Sequence, residues 1–213
     1  MSDTHFNDVV LLIQSNGGQG TSVITDQSPQ GLTVVQAGTP DVIHETTTPP
    51  PRAEGSSLSG VVGSEYLSIA KTAATWLDYS QPLTIEFSLY ATAWNTANGM
   101  RILGDRPNNA SGGVQCFVSG GDTLLDFIVR DSGGSSAVSL TGIKALGNNA
   151  WQDICIQHDG AGNWYAFVNG VMEMTVAQSS TPANASGDHA MWLFNNNASN
   201  AATTFNGYMD SIR

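Results

Sequence analysis

Basic residues are scarce in this chain. Seven Lys and Arg stand against eighteen Asp and Glu, for a formal net charge of −11 over 213 residues. So acidic a chain, with no basic stripe, repels phosphate backbones and anionic headgroups, which excludes nucleic acid and anionic membrane surfaces as partners. Charge of either sign is thin, at 12% of residues against about 25% in an average soluble domain. A helical bundle with Lys/Glu-rich outer faces is therefore excluded. Cysteine is nearly absent: Cys116 and Cys155 are the only two, and they fit neither a Cys-x-x-Cys motif nor a zinc-ligand spacing. Long apolar runs are missing too. The first, Val9 to Ile13, is too short for a membrane span or a signal-peptide core, and no basic n-region precedes it. The expectation is a protein made in a cytoplasm, with both thiols free and no membrane insertion.

What is present is glycine, small polar residues and short apolar blocks. Glycine counts 23 residues, and 40% of the chain is hydrophobic. At this length folding can bury roughly 70% of the unfolded surface, so neither a metal nor a disulfide is needed for stability. Strand patterns recur and helix patterns are nearly absent; 72–77 is the one candidate helical turn. From Leu83 to Ala93, Leu83, Ile85, Phe87, Leu89 and Ala91 fall on one face, and Thr84, Glu86, Ser88, Tyr90 and Thr92 on the other. That alternation marks a strand with one buried face. Trp151 to His158 and Trp164 to Val168 are further strands, and Asn169-Gly170 links the second to Val171–Val176 as a type I′ hairpin turn. About a dozen short strands separated by turns indicate an antiparallel β-sandwich. The expected layout is an N-terminal arm at 1–8 and one domain at 9–213, with a Pro-rich surface loop at 46–56.

Several segments together resemble one family. They are Glu65-Tyr66-Leu67-Ser68-Ile69, Leu83 to Tyr90, Trp151 to Ile156, Trp164 to Gly170, and Phe205-Asn206-Gly207-Tyr208-Met209-Asp210-Ser211-Ile212-Arg213. Their order and spacing resemble the concanavalin A-like lectin/glucanase superfamily in its laminin-G-like branch. The opening run and the loop after it resemble the version found in tailed-bacteriophage structural proteins. Asn169 stands where the family usually has Asp, Ser88 where Trp is frequent, and Cys155 where a small residue is usual. The resemblance implies an all-β, two-sheet antiparallel jelly-roll sandwich. Ile85, Phe87, Leu89, Ile154 and Ile156 would line its core, and Val9–Ile13 would pair with Tyr208–Ile212.

Hydrolytic members of the superfamily carry Glu-x-Asp-x-x-Glu on one strand face, and this chain has no such triplet. Glu86 lies between Thr84 and Ser88 on its face, and Glu173 between methionines. No Gly-x-Ser-x-Gly elbow or phosphate-binding loop occurs. His5, His44, His158 and His189 are scattered, and His158 reads as a solvated strand-end residue. No cofactor is required; calcium is the one ion to weigh, with Asp210 as the candidate ligand and Asp26 and Asp105 in suitable loops. A sugar would need an aromatic platform beside amide groups. Trp94 with Asn95 and Asn98, and Trp192 with Asn195 and Asn196, meet that description. Trp76, Trp151 and Trp164 read as core.

These readings lead to a non-enzymatic structural or adhesive protein of a virion, as capsid decoration or as part of a tail fibre or spike. Its partners would be other virion proteins and copies of itself. Phe6, Val42 and Ile43 would anchor arms on neighbours, and Pro49 and Pro50 would extend a loop toward them. The alternative is a carbohydrate-binding module for a host-surface glycan. A degenerate glycoside hydrolase ranks third.

Overall fold

The computed structural model describes residues 8–47, 55–60, 65–70, 77–94, 99–105, 111–184, 190–195 and 204–213. Within them the chain forms fourteen strands and no α-helix. In order these are β1 (Val34–Ala37), β2 (Ile43–Glu45), β3 (Ser57–Gly60), β4 (Tyr66–Ile69), β5 (Leu83–Ala91), β6 (Met100–Gly104) and β7 (Val114–Val118). There follow β8 (Leu125–Arg130), β9 (Ser136–Leu140), β10 (Trp151–His158), β11 (Asn163–Val168), β12 (Val171–Ala177), β13 (Met191–Leu193) and β14 (Gly207–Asp210). They build two seven-stranded sheets, ordered β1-β4-β13-β6-β7-β8-β9 and β12-β11-β10-β5-β14-β3-β2. All the strand pairings are antiparallel. The two-sheet jelly-roll sandwich is thus the fold.

Period-two alternation places the core. Ile85, Phe87 and Leu89 of β5, with Ile154 and Ile156 of β10, are buried from the second sheet. Leu103, Val114, Cys116, Phe127 and Val129 are buried from the first. Phe127 and Trp164 meet across the interface, with ring centroids 5.9 Å apart. Each large side chain removed from water in this way contributes about 1.5–3 kcal/mol.

The N-terminal segment departs from the expected pairing. Only Ile13 joins the sheet, exchanging backbone hydrogen bonds of 2.9 and 3.0 Å with Ile212; Val9 to Leu12 form no strand. The reason is side-chain competition for the backbone. The Asp26 carboxylate accepts from Leu12 N (2.9 Å), Ser28 N (2.9 Å), Ser28 Oγ (2.8 Å) and Leu32 N (2.7 Å). Asp26 therefore ties two loops together and is not an open calcium ligand. Asp105 is engaged likewise: its buried carboxylate accepts from Tyr79 Oη (2.9 Å) and Val114 N (2.7 Å).

Two other expectations change, at Val42 and His158. Val42 is fully buried in the core, where Gln36 holds its backbone N–H and C=O; it cannot anchor an arm on a neighbour. Phe6, Pro49 and Pro50, and most of the 72–77 turn, lie outside the described residues. His158 is not solvated. It is 4% exposed, stacks on Trp164 at 4.6 Å, and donates from Nδ1 to Gln81 O. As the last residue of β10 it keeps the inward phase of Ile154 and Ile156, and phase outweighs position at a strand end. His44 is also buried: Nδ1 accepts from Gly17 N and lies 2.8 Å from Ser15 Oγ, and Nε2 donates to Val23 O.

Candidate functional site

The outer face of the second sheet carries a row of residues that sequence order disperses. Trp151 of β10 lies opposite Tyr90 of β5, which lies opposite Tyr208 of β14. Tyr208 lies opposite Ser59 of β3, and Ser59 opposite Ile43 of β2. Directly opposed residues in antiparallel strands share a face, so these five side chains form one line across the strands. The Tyr90 ring is 5.7 Å from Trp151 and 5.9 Å from Tyr208, with interplanar angles of 60° and 78°. All three rings are half-buried. Burial, then the Glu45 carboxylate and Tyr90, raise the Tyr208 phenol above its ordinary value, with Ser59 opposing through a hydrogen bond. The phenol stays protonated and can donate.

Two residues along each strand lies a polar row. Ser88 is opposite both Asp153 and Asp210, and its hydroxyl donates to Asp153 Oδ1 at 2.7 Å. One step further, Glu86 faces Cys155, and its Oε2 accepts from Arg213 Nε (3.1 Å) and a terminal guanidinium nitrogen (2.6 Å). Backbone bonds of 2.7 and 2.8 Å between Glu86 and Arg213 continue the β14–β5 pairing. Glu86, Ser88, Asp153 and Cys155 floor a groove of about 500 Å³, with Phe167 and Ser211 among its other lining residues. Serine in place of a bulky residue at 88 leaves the floor open there.

The hairpin turn after β11 holds the polar row in place. Asn169, at φ 53°, accepts from Asp153 N through Oδ1 (2.8 Å) and donates from Nδ2 to Gln152 Oε1 (3.1 Å). An aspartate has no amide donor, so asparagine at this position is more than an equivalent turn residue.

The two cysteines are unpaired; Cys116 lies in the core and Cys155 on the outer face. Burial, and then the neighbouring Glu86 carboxylate, push the Cys155 thiol up to about 11. At pH 8 iodoacetamide is expected to modify Cys155 at least about tenfold more slowly than a free thiol, and faster in Glu86→Gln. Mass-spectrometric labelling of the native protein checks this; reaction at the free-thiol rate would contradict the described environment.

Of the sugar-site residues expected from sequence, Trp94 and Asn195 turn inward. Trp94 is 9% exposed, packs 5.7 Å from Phe205, and donates from Nε1 to Leu146 O, so it is a core residue. Asn195 is 1% exposed and donates inward to Thr204 Oγ1. Trp192 is half-buried on the first sheet, edge-on to Tyr66 at 6.4 Å. Asn95, Asn98 and Asn196 lie outside the described residues. Ile43 is half-buried at the end of the aromatic row. Asp210 is fully buried, and Oδ1 accepts from Ser15 N. No three His, Cys, Asp or Glu side chains converge among the described residues, so the surroundings of Asp210 do not fit a carboxylate-rich calcium shell. Trp151, read from sequence as core, belongs to the half-buried row on the outer face instead. The available signal was Tyr90 on the polar face of its strand; its ring neighbours come from register alone.

Solved structures share the fold. The binding domain of Paraclostridial Mosquitocidal Protein 1 superposes with a TM-score of 0.74 at 13% identity, over 97% of this chain and 48% of that one. The botulinum neurotoxin serotype G binding domain gives 0.71 at 16%, over 95% and 46%. This chain therefore spans about half the length of those two domains. Domain 4 of AbnA, an extracellular GH43 arabinanase from Geobacillus stearothermophilus solved with arabinotriose, gives 0.69 at 11%, over 96% and 90%. At these identities the likeness is one of fold. No curated protein matches in sequence. Residues 62–213 match the description of a single family, and the strands that match carry the aromatic row and the groove. The chain belongs to the concanavalin A-like lectin/glucanases superfamily.

Proposed function

We propose that the chain is a non-catalytic carbohydrate-binding module, and that its ligand lies across the strands of the second sheet. The observation that carries this is the Trp151–Tyr90–Tyr208 row beside a groove of hydrogen-bond acceptors. Aromatic rings accept the apolar C–H faces of a sugar, and carboxylate and hydroxyl oxygens accept its hydroxyl protons. Neighbouring strands lie about 4.8 Å apart, so three consecutive strands offer a platform for more than one sugar ring. The arabinanase domain seen with arabinotriose supports the reading by fold alone.

A hydrolase reading finds less support. Glu86 and Asp153 share the groove, but Glu86 is engaged by Arg213 and Asp153 by Ser88. The virion reading rests on the resemblance of the opening segments to tailed-bacteriophage structural proteins and on the low-charge surface, and it calls for apolar anchors on neighbours. Of the anchors that are described, Val42 serves this chain's own core and Ile43 ends the aromatic row.

Calorimetric titration with arabinotriose, cellotriose, maltotriose and lactose, together with a printed array of oligosaccharides, tests the proposal. A shallow platform is expected to give dissociation constants between about 1 μM and 1 mM, or roughly −8 to −4 kcal/mol. Absence of binding across the whole set would refute it.

A further inference from the structure

The charges around the aromatic row narrow the class of glycan, given the carbohydrate-binding reading above. Glu86 and Asp153 line the groove beside the row, and Glu45 is close enough to act on the Tyr208 phenol. Among the described residues Arg213 is the cation beside the groove, and Glu86 holds two of its guanidinium nitrogens. Arg101 and Arg130 belong to β6 and β8 of the first sheet, and Lys144 pairs with Glu173 of β12, the edge strand two places from β10. The chain as a whole adds a net charge of −11.

Hydrogen-bond chemistry points the same way. Ionised carboxylates only accept, and a sugar hydroxyl can donate to them. A sialic or uronic acid carboxylate, or a sulfate, is also an acceptor. Placed over Ser88 and Asp153 it would find like charge and no cation free of Glu86.

We infer that the ligand of this face is an uncharged oligosaccharide, and that the face discriminates against sialylated, sulfated and uronic acid-bearing chains. The discrimination is electrostatic and lies partly at the surface, so salt weakens it: the Debye length shrinks from about 30 Å at 0.01 M to about 3 Å at 1 M.

The test uses matched probes on one array: lactose against 3′-sialyllactose and 6′-sulfated lactose, and arabinotriose, cellotriose and maltotriose against their terminally oxidised uronic acid forms. Only binding lost in Tyr90→Ala is counted, which removes any contribution from Arg101 and Arg130 on the opposite sheet. Each neutral probe that binds is expected to exceed its anionic counterpart by tenfold or more at low salt. That ratio should fall at 0.5 M salt. Glu86→Gln, which removes a carboxylate and releases Arg213, should narrow it at least threefold, and Asp153→Asn should narrow it as well. Tyr90-dependent binding of an anionic probe as tight as its neutral counterpart would overturn the inference and leave the carbohydrate reading standing. Failure of neutral and anionic probes alike would overturn both.

Discussion

Alanine at Tyr90 is expected to weaken oligosaccharide binding by roughly 30- to 100-fold, about 2–3 kcal/mol, the size of a hot-spot truncation. Tyr90 is the middle ring of the row and contacts both Trp151 and Tyr208. Its removal deletes the central stacking surface and releases the edge contacts that orient the other two rings. Tyr90→Phe keeps the ring and is expected to stay within about threefold of the parent, since most of the binding rests on stacked area rather than on one hydroxyl. Trp192→Ala, which alters an aromatic pair on the other sheet, should leave binding unchanged. Titration of the three variants beside thermal melts separates lost contact from lost fold. If Trp192→Ala abolished binding and Tyr90→Ala did not, the site would belong to the first sheet.

The second large effect is expected at Gly207. A Cβ built there would sit 2.1 Å from the Tyr90 carbonyl oxygen, 2.9 Å from Phe205 Cζ and 3.0 Å from Ala91 Cα. Two of those atoms are backbone of the adjacent strand, and they cannot move without separating β14 from β5. Gly207→Val should therefore cost about 3 kcal/mol or more, at the upper end of overpacking. In a chain of this size that corresponds to a fall in Tm of about 6–12 °C. The same substitution would displace Tyr208 and weaken ligand binding in whatever protein remained folded. Gly170 provides the contrast. An added Cβ meets nothing within 4 Å, but φ is +76°, so Gly170→Ala should cost only about 1 kcal/mol, from backbone strain. Circular-dichroism melts of both variants check the prediction. An unchanged Tm for Gly207→Val would mean that β14 does not lie against β5 in this register.

Much of the fold was legible because a half-buried strand writes its phase into the chain. The run from Leu83 announced β5 by strict alternation, and Trp151–His158 is a strand from the first to the last residue expected. The Asn-Gly turn followed from its demand for positive φ, observed at 53° and 76°. Val9 to Ile13 misled for a definite reason. Its apolar content suited a strand, but Asp26 and Ser28, fourteen to eighteen positions away, took up the backbone groups that a ladder would have used. The tryptophans misled in both directions. Composition does not reveal whether an indole points inward, and Trp94, three residues beyond the longest strand, is core whereas Trp151 at the start of another is not.

The sequence by itself determined the class of fold, the low-charge acidic surface and which face of each long strand is buried, because these depend on local alternation and composition. Tertiary structure alone decided the site. Trp151, Tyr90 and Tyr208 become neighbours only when β10, β5 and β14 pair in one register. Because side chains alternate with a period of two, a shift of one residue in any of the three would send a ring of the row to the other side of the sheet.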